Sequence, residues 1–246
     1  MDKLLYVAMS GAKETLRAQA ANSHNLANAN TTGFKADLSA FQSRAVTGPG
    51  YASRVYATDA SVGWDSSVGS QITTGNPFDV AVQGQGFIAV QDSQGNEAYT
   101  RNGDLHVDPN GQLLTSTGLQ VLGDDGPVSV PPFSSVSVAP DGTISVIPLG
   151  QTPQTISNVG RIKLVNPPRD TVSRSADGLF RTRDGQPAQA DATTTLASGV
   201  LEGSNVDLAS SMVNMIELAR NFDLQIKALH AAEDTGSASA KLLQAS

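Results

Sequence analysis

Apolar residues along this chain keep three different periods. Near the start, Leu5, Met9, Ala12, Leu16, Gln19, Ser23 and Leu26 recur at alternating spacings of four and three, a heptad seam with two polar members. The pattern predicts a helix over about residues 3–29, with Glu14 and Arg17 paired on its flank. From Pro77 the period falls to two: Phe78, Val80 and Val82 alternate with Asp79, Ala81 and Gln83, and Ile162 and Leu164 alternate with Arg161 and Lys163. Turn signals separate these runs. Asp108-Pro109-Asn110-Gly111 fits a type I turn, and Asp141-Gly142 lies between Val136/Val138 and Ile144/Val146 as in a hairpin. Asp177-Gly178 and Asp184-Gly185 mark two more turns, which carries the β region to about residue 200.

From Asp207, a suitable N-cap, the helical period returns and runs to Leu243. One heptad line holds Met212, Ala219 and Ile226; a second holds Met215, Phe222, Leu229 and Leu243. Val213, Ile216, Leu218 and Leu224 lie off both lines, so the apolar surface is wider than a single partner helix needs. At ~1.5 Å per residue this helix spans roughly 55 Å. Residues 36–76 keep no period; five glycines and a proline interrupt them, and they read as an extended connector with one or two short strands. The fold class is α+β: terminal helices paired as a coiled-coil-like stalk, with a central antiparallel all-β domain. The divisions are 1–35, 36–76, 77–200 and 201–246.

Isolated helices are marginal because nucleation is unfavourable, so both ends need packing partners. Pairing them with each other leaves the second apolar stripe of the C-terminal helix uncovered. Packing against other subunits covers it, and termini that become ordered on assembly follow from that arrangement.

Composition removes several functions. A net charge of −7 without a Lys/Arg cluster argues against nucleic acid. With no cysteine there are no disulfides, thiolate metal sites or cysteine nucleophiles. With 23 glycines, 12 prolines and 16% charged residues, the chain reads as turn-rich and β-rich. The apolar run Leu4–Met9 is too short for a signal-peptide core, and no stretch approaches the ~18 apolar residues of a membrane span. On these grounds alone the chain would be cytoplasmic.

The candidate chemistry is thin. Gly84-Gln85-Gly86-Phe87-Ile88-Ala89 matches a loose G-x-G-x-x-A, but Ile88-Ala89-Val90 continues as strand where a dinucleotide site needs a helix. Asp104, Asp108 and Asn110 lack the EF-hand spacing, with Thr115 where the loop needs Glu. His24, His106 and His230 fall in three separate segments without ligand spacing. Trp64, the sole tryptophan, reads as a packing residue. No catalytic, cofactor or metal site is expected, and the chain is not expected to be an enzyme.

Asn22–Lys35 reads N-S-H-N-L-A-N-A-N-T-T-G-F-K. Asn25, Asn28 and Asn30 compete for backbone groups, Thr31 and Thr32 are β-branched, and Gly33 supplies a positive φ for leaving the helix. On this reading Phe34 tucks back against apolar neighbours while Lys35 stays in solvent. The motif Asn25, Leu26, Ala27, Asn28, Thr31, Gly33, Phe34 and Lys35, followed by a long C-terminal amphipathic helix, resembles the flagellar axial proteins (rod, hook and hook-associated). The opening M-D-K-L-L-Y-V-A-M-S-G-A looks most like a proximal-rod subunit. The resemblance extends to P-F-D-V-A-V-Q-G-Q-G-F at 77–87, Y-T-R-N-G at 99–103 and L-E-G-S-N-V-D at 201–207. His24 stands where such proteins often carry Asn.

The resemblance implies a structural subunit of the bacterial flagellar basal-body rod. Its partners would be copies of itself, other proximal and distal rod subunits, and the flagellar type III export apparatus. It also implies export without a cleavable signal peptide to a periplasmic site, which replaces the cytoplasmic reading. The implied subunit-interface residues are Leu5, Met9, Ala12, Leu16, Leu26, Met212, Met215, Ala219, Phe222, Ile226, Leu229 and Leu243. A distal-rod or hook-type axial protein, or a monomeric β-rich binding module, are the alternatives.

Overall fold

The computed structural model describes residues 2–45, 55–152, 155–175 and 177–244. The chain forms two compact units, one of Met1–Ala29, Ala36–Asp65 and Val206–Ser246, the other of Asn30–Lys35 and Ser66–Asn205.

The first unit contains helices α1 (Asp2–Ala27) and α2 (Leu208–Gln244) and strands β1 (Asp37–Ala45) and β2 (Val55–Trp64). The helices pack antiparallel: Gly11 lies beside Gln225, and Asn22 Nδ2 donates to the Ser211 carbonyl at 2.7 Å. Asp207 accepts from the Ala209 amide at 3.0 Å and so closes the open start of α2. Hydrogen bonds from Ser210 and Ala209 hold its carboxyl below the ordinary carboxylate range.

The packed face of α1 is built from small side chains, with Ala8, Ala12, Thr15 and Ala18 buried. On α2 the covered positions are Ser211, Met215, Leu218, Phe222, Gln225, Ile226, Leu229 and Ala232. This face is displaced by one residue from the Met212–Ala219 line expected from the heptads; Met212 and Ala219 are exposed. The covered face is centred on the other expected line, Met215, Phe222 and Leu229, and Ser211, Leu218 and Gln225 flank it at i−4 and i+3.

The segment expected as a connector holds a long hairpin. β1 and β2 pair antiparallel from Asp37↔Trp64 to Ala45↔Val55, with an irregularity at Leu38/Ser39, and pack against α1. Ser, Ala and Asp dominate these strands and hide them from a propensity reading. Trp64 is buried at the hairpin's end.

The second unit is β throughout. Its strands are β3 (Gln71–Thr73), β4 (Val80–Gln83), β5 (Phe87–Gln91), β6 (Glu97–Thr100), β7 (Leu105–Val107), β8 (Leu113–Thr115), β9 (Gln120–Gly123) and β10 (Gly126–Pro127). They are followed by β11 (Phe133–Val138), β12 (Thr143–Pro148), β13 (Ser157–Arg161), β14 (Leu164–Val165), β15 (Val172–Arg174), β16 (Phe180–Thr182), β17 (Thr195–Ser198) and β18 (Val200–Glu202). All pairings are antiparallel. The largest sheet runs β15-β16-β6-β5-β9-β8-β7, with β10 on β9 and β14 on β5. β11-β12-β13 form a meander, and the pairs β17-β4 and β18-β3 bring the end of the unit back to its beginning.

One core holds the unit together, with Val80, Val82, Ile88, Val90, Leu113, Val121, Ile144, Ile162 and Leu196 nearly inaccessible. Every residue from Phe87 to Val90 is buried, so β5 is covered on both faces. The Asp108 turn closes with Gly111 N donating to Asp108 O at 3.0 Å, and Gly111 has φ 84°.

Candidate functional site

Three sequence segments that carry the family resemblance meet inside the β unit. Gly33-Phe34-Lys35, Arg101 of Y-T-R-N-G and Glu202 of L-E-G-S-N-V-D form one buried ion cluster. Lys35, Arg101 and Glu202 are only 1%, 3% and 1% exposed. Lys35 is therefore not the solvated residue its neighbourhood in sequence suggested. Its Nζ donates to Glu202 Oε1 and to the Ser67 carbonyl, both at 2.6 Å. Burial of a lysine is tolerated here because charge and hydrogen bonds are supplied together.

Arg101 is satisfied all round. Its Nε and Nη2 donate to Glu202 Oε2, and its remaining donors reach the carbonyls of Gly84, Gly86 and Val82 at 2.9, 2.9 and 3.0 Å. A guanidinium has five N–H groups, and all five are used. Gly84 and Gly86, which resembled half of a dinucleotide fingerprint, turn their carbonyls onto this arginine, and a strand follows them. On the other side of the carboxylate, the Gly69 amide donates to Glu202 Oε1 at 3.0 Å.

The backbone around the cluster is equally constrained. The Gly33 amide donates to the Glu202 carbonyl at 2.7 Å, and Asn205 N donates to Phe34 O at 3.3 Å. Gly33 has φ 69°, and a Cβ there would lie 2.3 Å from the Arg101 carbonyl carbon. No other residue fits. Phe34 is buried, with the Arg174 guanidinium 4.3 Å from its ring centroid. Arg174 also donates to the Lys35 carbonyl at 2.8 Å.

The asparagines of the motif act within the helical unit. Asn25 makes a two-way pair with the backbone of Asp37, its Nδ2 donating to Asp37 O at 2.9 Å and its Oδ1 accepting from Asp37 N at 2.8 Å. Asn28 Nδ2 donates to the His24 carbonyl at 2.9 Å. His24 Nδ1 lies 2.8 Å from Asp37 Oδ2. Thr31 accepts the Phe34 amide through its carbonyl, and Ala27 is exposed.

Of the residues expected at subunit contacts, Ala12 is buried against the partner helix. Leu5, Leu26, Met215, Phe222, Ile226 and Leu229 are half-buried. Met9, Leu16, Met212 and Ala219 are exposed, and the Leu243 side chain lies outside the described residues. Among the described residues no three His, Asp or Glu side chains cluster as metal ligands, and no helix is long and apolar enough to cross a membrane. Arg101 and Glu202 were missed as site residues. Their signal was an Arg and a Glu set among glycines in two otherwise apolar or small-residue motifs.

Lys35, Arg101 and Glu202 each fall within a region that a family profile matches. A profile described as "Flagella basal body rod protein" matches residues 5–35. "Flagellar hook protein FlgE/F/G D1 domain" matches 81–146, and "Flagellar basal body rod FlgEFG protein C-terminal" matches 197–244. Flagellar basal-body rod protein FlgF of Escherichia coli is 42% identical to this chain over the full length of both. The chain belongs to the flagellar basal-body rod protein family. FlgF of Salmonella typhimurium is likewise 42% identical over the full length of both, and FlgF of Caulobacter vibrioides is 33% identical over 91% of this chain and 90% of its own. FlgG of Buchnera aphidicola from Schizaphis graminum is 32% identical over 86% of this chain and 88% of its own. Rod proteins of this family are structural subunits and not enzymes, and this chain is FlgF-like.

Proposed function

We propose that this protein is a subunit of the proximal rod, polymerising through its terminal helices into a shaft that transmits motor torque to the hook and filament. It reaches the periplasmic rod through the flagellar type III export apparatus without loss of a signal peptide. It assembles there with copies of itself and with other proximal and distal rod subunits.

The observation that carries this reading is the outward orientation of the large apolar side chains in the helical unit. Tyr6, Met9 and Leu16 on α1 and Met212, Val213, Ile216 and Leu224 on α2 are exposed, while Ala8, Ala12 and Ala18 are buried on α1 and Met215, Phe222 and Leu229 are half-buried on α2. Ile216 and Leu224 are 63% and 61% exposed. Burying such side chains gains about 1.5–3 kcal/mol each, and contacts that do not close into a ring extend into a tube. Leu5, Met9, Ala12, Leu16, Leu26, Met212, Met215, Ala219, Phe222, Ile226, Leu229 and Leu243 remain the proposed interface, extended by Val213, Ile216 and Leu224.

The test is Ile216→Asp with Leu224→Asp in a motile strain. The expected result is a folded, secreted subunit with no completed rod and no swimming. Normal rods and normal swimming would overturn the helix-mediated assembly. A deletion strain that stalls only after the proximal rod is complete would move the protein to a distal position.

A further inference from the structure

We infer that the Lys35–Arg101–Glu202 cluster is a closure latch: the β unit completes its fold only when the segment at 200–205, almost the last of the unit to be made, joins residues 33–35 and 101. This does not depend on what the protein assembles into.

The reasoning starts from sequence distance. Glu202 pairs with Lys35 across 167 residues, with Arg101 across 101 and with the Gly69 amide across 133. Both ion pairs of the buried cations go to this one carboxylate, Lys35 on Oε1 and Arg101 on Oε2. Until it arrives, burying Arg101 means burying an ion without the carboxylate it pairs with, which is strongly unfavourable. The backbone repeats the dependence. The Gly33 amide uses the Glu202 carbonyl, the Gly203 amide uses the Ser70 carbonyl, and the Asn205 amide uses the Phe34 carbonyl. The Gly33 amide thus meets its acceptor only when 202–205 is in place.

Other parts of the unit need no such wait. β5 and β6 pair as a local hairpin, β11 and β12 as another, and the Leu113 and Val128 amides bond Val128 and Val121 within a short stretch of chain. Local contacts form first because loop closure costs less for short separations. A chain that is made or delivered amino terminus first would hold Arg101 solvated, and the unit open, until residue 202 is available.

Pulsed hydrogen exchange during refolding of the full-length protein tests the latch. The Gly33, Gly69, Gly203 and Asn205 amides are expected to gain protection together, in a phase at least about tenfold slower than the Leu113 and Val128 amides. Glu202→Gln is expected to slow that phase further and leave the Leu113/Val128 phase unchanged. Protection of Gly33 and Gly69 in the same phase as Leu113 and Val128 in the unaltered protein would overturn the inference, whether or not the variant folds. So would a Glu202→Gln protein that protects Gly33 and Gly69 at the original rate.

Discussion

The helical unit and the β unit treat apolar surface in opposite ways. In the β unit a broad aliphatic core is inside, with Val80, Ile88, Val90 and Val121 wholly covered, although Val68, Ile72, Leu149 and Ile156 are exposed. Even its buried charges find partners, since Lys35, Arg101 and Glu202 satisfy one another and nearby backbone groups. In the helical unit the buried apolar residues, among those described, are Ala8, Ala12, Ala18, Ala232 and Trp64, and Tyr6, Met9, Leu16, Ile216 and Leu224 are outside. One unit uses its sequence to complete itself. The other holds its strongest apolar groups in reserve, which is how a subunit differs from a finished domain.

Substitutions that separate these two designs are expected to differ by several kcal/mol. The largest effect belongs to Glu202→Ala, which leaves buried Arg101 without the carboxylate it pairs with. A loss of about 3–5 kcal/mol is expected from the denaturant midpoint of the β unit. Ile88→Ala removes an aliphatic side chain from a fully buried strand, for a loss of about 2–5 kcal/mol by the same measurement. If either change costs under about 1 kcal/mol, the picture of a self-completing unit fails.

In the helical unit, enlarging an inward position matters more than removing an outward one. Ala18→Leu forces a large side chain into a seam where Ala18 is 3% exposed, and a loss of about 1–3 kcal/mol should appear in thermal melts followed by helix signal. Leu16→Ala, half exposed on the opposite side of α1, should stay within about 0.5 kcal/mol while reducing motility. Equal effects of the two changes would mean that the seam is not built from small residues.

A smaller effect concerns acid. Hydrogen bonds from Arg181 hold the Asp92 and Asp177 carboxyls below their ordinary range. A carboxyl whose folded value is depressed adds stability above its unfolded value, near pH 4, and that stability disappears as pH falls through the folded value. The β unit should therefore weaken below about pH 4, and Arg181→Met should make that acid limb shallower without altering stability slope near neutrality. An unchanged limb would show that the pair does not act on folding.

Much of this protein is legible in its residue order, because the signals are local. Periods of two and three-and-a-half separate strands from helices, Asp207 marks where α2 starts, and Asp108 to Gly111 encodes its turn without help from elsewhere. The paired helices and antiparallel β domain follow from those periods. The motif at 25–35 was also visible, as was the positive φ of Gly33, 69°, although α1 already ends at Ala27.

Tertiary structure decided what depends on distant partners. Heptad counting offers the Met212–Ala219 line and the Met215–Phe222–Leu229 line alike, and only the meeting of α1 and α2 chose between them, covering the second and leaving Met212 and Ala219 exposed. The β1–β2 hairpin needed its register with a second Ser- and Ala-rich strand before either run could be read as a strand. Lys35 looked like a solvated end to its motif until Glu202 and Arg101 came to it from 167 and 66 residues along the chain. A sequence records which side chains carry charge; whether a charge is buried depends on the counter-charge and hydrogen bonds that folding brings to it.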